Sequence, residues 1–95
     1  MAILTINEAA DLLDYETPED LPGKVMSVFV PAIDDFLLNA TGKRWSEDER
    51  VDSLAKIVAG VMLVRWFEDP GQVGKTSDES LIILINQLAA KARGG

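Results

Sequence analysis

The sequence predicts an all-α fold: a small bundle of about four helices with a long central third helix. Three observations carry this expectation. Apolar residues recur three and four positions apart through most of the chain, the period of one helix face. Three S/T-x-x-E signatures, at Thr5 with Glu8, Ser46 with Glu49 and Thr76 with Glu79, match the capping box, in which a hydroxyl and a carboxylate satisfy free amides at a helix start. Clusters of proline and glycine separate the periodic stretches.

The first helix, 6–13, follows Thr5 and carries Ile6, Ala9, Ala10 and Leu13 on one stripe. Asp14 and the segment TPEDLPG end it in a turn over 15–23. The second, 24–40, places Val25, Phe29, Ala32, Ile33, Phe36, Leu37 and Ala40 at helical spacing, with Gly42 as a left-handed cap. Pro31 lies inside this pattern, where it removes a backbone donor and crowds the preceding turn at a cost of about 3 kcal/mol if uncompensated. A kink or break is therefore expected between Val28 and Pro31.

The third helix, 47–67, should begin at the Ser46 box and stop at Asp69-Pro70-Gly71. From Ile57 to Phe67 nine of eleven residues are apolar, the exceptions being Gly60 and Arg65. A helix that is apolar on nearly every side implies a central position or a second, intermolecular contact. The fourth, 78–92, sets Leu81, Leu84, Ile85, Leu88 and Ala92 on one face and leaves Ile82 and Ile83 off it. The 95 residues are read as one domain, which buries roughly 65% of the surface its unfolded chain exposes.

Composition excludes several functions. There is no cysteine and no histidine, so disulfide scaffolds, thiol and imidazole catalysis and the usual zinc ligand sets are absent. Nine Lys and Arg against sixteen Asp and Glu give a net charge of −7, which repels phosphate and anionic lipid. Neither sequence-specific nucleic-acid binding nor a membrane partner is expected. The N-terminal stretch lacks the features of a signal peptide, and the longest apolar runs fall far short of the roughly 20 residues that span a bilayer. Residence in a reducing cytosol is the expectation.

Apparent motifs weaken on inspection. Asp69 to Thr76 ends in the Gly74-Lys75-Thr76 of a phosphate-binding loop, but Asp69 stands where the opening glycine belongs, and the segment follows a helix instead of a strand. It reads as a linker. Asp52-Ser53-Leu54 is similar to the attachment triplet of acyl carrier proteins, in which the serine opens a helix with an acidic, exposed outer face. Here Ser53 is expected about two turns inside the third helix. The adjacent carboxylate pairs, such as Asp34-Asp35, point in different directions on a helix and assemble no acid-base site. Neither a metal nor a cofactor is expected. Lys43-Arg44-Trp45 is the one tight basic cluster beside an aromatic. Trp45 should pack the joint between the second and third helices, with Arg44 free to pair with the acids over 47–49.

Ile33 to Phe36 with Thr41, Gly42, Lys43, Arg44 and Trp45, then Leu54 to Lys56, Val64 to Glu68, and Leu81 to Leu88, resemble the small head-tail connector proteins of long-tailed bacteriophages. The likeness spans nearly the whole chain, although T-G-[KR]-R-[WL] is short and Pro31 departs from the family's smooth second helix. It implies a non-enzymatic part of a phage or prophage assembly: a homo-oligomeric ring matching the portal's symmetry, a dodecamer, beneath the portal protein at the virion head-tail junction. Such a ring extends the DNA channel used in packaging and meets a tail-side connector or stopper protein. It is assembled in the host cytoplasm, and DNA passes through without specific binding. Subunit-interface candidates are Leu63, Arg65, Phe67, Ile82 and Ile83. The tail Lys91, Arg93, Gly94 and Gly95 is expected to be free in the isolated protein, to order on the portal, and to be removable after Ala90 without loss of fold.

Overall fold

The computed structural model describes residues 2–75 and 78–94 and places four α-helices among them: α1 (Ile6–Leu12), α2 (Val30–Thr41), α3 (Ser53–Glu68) and α4 (Glu79–Ala92). Short 3-10 turns at Pro18–Asp20, Trp45–Glu47 and Pro70–Gln72 join them, and a π-helical turn, Val25–Phe29, leads into α2. The fold is thus the small all-α bundle expected. α3 touches α1, α2, α4 and the π-helical turn, so it holds the central position. α3 and α4 run antiparallel. Asp52 at the start of α3 pairs with Lys91 at the end of α4 at 2.7 Å, and Arg65 near the end of α3 pairs with Asp78 ahead of α4.

Local chemistry explains the starts and stops. Thr5 and Glu8 form the expected capping box, the Thr5 hydroxyl accepting from the Glu8 amide at 3.1 Å and the Glu8 carboxylate from the Thr5 amide at 2.8 Å. Asp14, in the left-handed region at φ 63°, turns the chain away after α1. The break expected near Pro31 takes the form of the π-helical turn. Val30 donates to Val25 five residues back, and Pro31, which has no N–H to donate, then falls in the first turn of α2. Gly42, at φ 80°, supplies the left-handed cap of α2, donating to Leu38 at 2.8 Å.

The start of the third helix departs from expectation. Ser46 caps nothing: it is buried, and its hydroxyl donates to Asp34 at 2.7 Å. The chain makes a 3-10 turn there, and α3 begins only at Ser53, capped by Asp52, whose carboxylate accepts from the amides of Leu54 and Ala55. Likewise α4 is capped by Asp78, accepting from Ser80 and Leu81; Thr76, the cap expected from sequence, lies outside the described residues.

The core is built from Ile3 and Leu4 of the N-terminal segment, Val25, Ile33 and Leu37 around α2, Met62, Leu63 and Trp66 of α3, and Leu81 and Leu88 of α4. Tyr15, Phe29 and Phe67 close one end, edge to face at 6.4 and 6.2 Å. The Cα extents are 39 × 30 × 17 Å, and the thin direction holds about two helix layers, whose axes pack roughly 8–10 Å apart. A slab this thin cannot cover every side of α3.

Candidate interaction surfaces

The TGKRW segment forms a joint within the chain. The Thr41 hydroxyl donates to the Leu37 carbonyl at 2.7 Å and accepts from the indole N–H of Trp45 at 3.0 Å. Trp45 is buried, and Lys43 lies over its ring, 4.6 Å from the centroid, while pairing with Asp48 at 3.0 Å. Arg44 reaches back to α2 and donates to Asp34 at 2.7 Å and Asp35 at 3.0 Å; Glu47, the kind of partner expected from sequence, is 3.8 Å away.

Asp34 is the centre of this joint. One of its carboxylate oxygens accepts from both Arg44 and Ser46, and the other, Oδ1, is buried without a partner among the described residues. Asp34→Ala should therefore cost about 2–3 kcal/mol, because it strands the Ser46 hydroxyl in the core and takes one carboxylate from Arg44, which keeps Asp35 and is part exposed, so that the loss is softened. Urea unfolding measures it; a change below about 0.5 kcal/mol, the range of inert surface sites, would show that the joint does not depend on this carboxylate.

Among the described residues two apolar surfaces on different helices are left open, besides the exposed side chains of Ile6 and Val28. The first is a groove of about 740 Å³ between α1 and α3, floored by Leu4, Leu12, Ile57, Gly60, Val61 and Val64. Ile57, in its lining, is 56% exposed. Gly60 lets Leu12 of α1 pack close against α3, since a Cβ there would lie 3.3 Å from a Leu12 methyl. The groove's charged rim holds Glu8 and Lys56, paired at 2.6 Å, with Asp11, Arg65 and Glu68. The Glu8 carboxyl sits below its ordinary value: burial pushes it up, but hydrogen bonds from Lys56 and Thr5 outweigh that. The second surface is the outer face of α4, where Ile82 and Ile83 are 41% and 53% exposed.

These positions revise the residue-level expectations. Leu63 is fully enclosed and Phe67 belongs to the aromatic end cluster, so neither contributes to the open surfaces. Arg65, for which a partner in its own chain or in a neighbour was equally open, finds Asp78 within its own chain and still lies on the groove rim. Ile82 and Ile83 are open, while Ile57 and Leu12 were missed although Ile57 heads the apolar run of the third helix. Lys91 is no loose tail: it is helical, and its ammonium donates to Asp52 and, against the effect of burial, holds that carboxyl below its ordinary value, with the Leu54 and Ala55 amides helping. Removal after Ala90 would delete this pair and Ala92, which packs on the core. Arg93 and Gly94 are exposed beyond α4, and Gly95 lies outside the described residues.

Ser53 is also displaced from expectation. It is the exposed first residue of α3, not two turns inside a helix. Asp69 to Lys75 is a linker, with Asp69 accepting from Gly71 at 3.1 Å and the Lys75 carbonyl taking the Trp66 indole N–H at 3.4 Å. Among the described residues no group of three or more acidic side chains is placed to hold a metal ion, and no helix is long and apolar enough to cross a membrane. No family model, curated protein or solved structure matches the chain.

Proposed function

We propose that this protein is a non-enzymatic ring subunit of a phage or prophage head-tail junction, placed between the portal protein and a tail-side connector or stopper. One observation carries the reading: among its described residues the bundle leaves open two dissimilar apolar surfaces, the α1/α3 groove and the outer face of α4. A ring subunit meets its two neighbours through different patches, whereas a two-fold dimer uses one patch twice. The resemblance carried by the TGKRW segment supplies the junction, and the net charge of −7 suits a conduit that must not retain DNA phosphates. The test is negative-stain electron microscopy of the concentrated protein, alone and with portal assemblies. Rings with the portal's symmetry are expected in at least the second sample, and a monomer in both overturns the proposal.

The exposed position of Ser53 at the start of α3 favours a second reading, a carrier protein loaded at that hydroxyl. The rest of α3 counts against it, because between Ser53 and Glu68 the helix carries no acid for partner enzymes to read. Co-expression with a phosphopantetheinyl transferase separates the two, since only a carrier gains the mass of the pantetheine arm.

A further inference from the structure

Both open surfaces repeat one pattern. On α3, Ile57 is followed eleven residues later by Glu68, the last residue of that helix, and Ile82 of α4 is followed eleven residues later by Arg93, the residue that caps α4. Eleven residues are about three helical turns, so each pair shares a face and spans about 16 Å. The two end charges are opposite, and neither Glu68 nor Arg93 has an ion-pair partner among the described residues. Between the ends, Val61 and Val64 line the groove four and seven residues beyond Ile57, and Asn86 and Ala90 lie on the exposed side of α4 four and eight residues beyond Ile82.

We infer that the groove of one copy receives the outer face of α4 from a second copy, parallel to α3. Ile82 and Ile83 seat on Ile57 and Leu12, and Arg93 reaches Glu68. This rests on the ring reading and adds to it the identity, direction and register of the contact. The two halves of the contact lie on different parts of the protomer, so each copy offers one of each. Association is then head-to-tail and can continue around a ring.

The chain lacks cysteine, which makes the register testable with single thiols. Val61 and Asn86 each lie four residues beyond the respective isoleucine, so the inferred pairing brings them face to face within the roughly 7 Å Cα separation that a disulfide spans. Val61→Cys and Asn86→Cys proteins, oxidised mildly at high concentration or on portal assemblies, should each remain uncross-linked alone and give a disulfide dimer when mixed. Arg93→Glu in the Asn86→Cys chain should remove most of that dimer, and Glu68→Arg in the Val61→Cys chain should restore it.

Cross-linking of Val61→Cys alone would show grooves pairing with each other, and of Asn86→Cys alone, α4 with α4; either overturns the inference. Rings without a mixed disulfide overturn it and leave the ring reading standing, their groove being open to a tail-side partner. A mixed disulfide without rings under the microscope retains the pairing and removes the ring. Absence of both removes both.

Discussion

Replacing Trp45 by alanine is expected to destabilise the protein by about 3–5 kcal/mol, the range for removing a large buried aromatic. The indole is 2% exposed and is held from three directions: its N–H donates to the Thr41 hydroxyl, its face carries Lys43, and its ring belongs to the core cluster that ties the α2–α3 connection to the bundle. Alanine leaves a cavity that the fixed turn around Gly42 cannot close. It also takes from the Thr41 hydroxyl its donor, although that hydroxyl keeps its bond to Leu37. For a chain of this size the loss corresponds to a fall in Tm of roughly 15–30 °C. Thermal and urea unfolding followed by circular dichroism measure it. A loss under about 1 kcal/mol would mean that the TGKRW segment is not the joint described here.

The elements legible in the sequence are those decided within a few residues. Thr5 and Glu8 needed only each other, and Gly42 only its own freedom at positive φ. Ser46 and Glu49 present the same local pattern, but the Ser46 hydroxyl is taken by Asp34 twelve residues earlier, and the cap passes to Asp52. A tertiary hydrogen bond overrode a local one, which moved the start of α3 and exposed Ser53. Pro31 was legible as a disturbance but not as a π-helical turn, because a wider turn and a break both avoid the clash between the proline ring and the preceding carbonyls. The surplus of apolar surface was legible in amount and not in location. A helix that is apolar on nearly every side has no phase, so spacing alone cannot tell Leu63 from Ile57. Six residues apart, they stand about 120° apart around α3, and packing by α1, α2 and α4 determines which is covered.

That difference is the basis of the second large effect. Leu63→Ala is expected to cost about 2–5 kcal/mol, since Leu63 is fully enclosed and its removal leaves a void on the central helix. Ile83→Ala is expected to leave the monomer within about 0.5 kcal/mol of the parent, because half of the side chain already faces water and alanine is the better helix former. In assembly the order reverses. Ile83→Ala should weaken self-association at concentrations where the parent associates, whereas Leu63→Ala should affect association only as far as it lowers the folded fraction. Urea unfolding at low concentration and sedimentation velocity at high concentration read the two quantities separately. Equal stability losses in the two variants would show that the α4 face is part of the monomer's own core. Unchanged association in a stable Ile83→Ala protein would show that sister copies meet elsewhere.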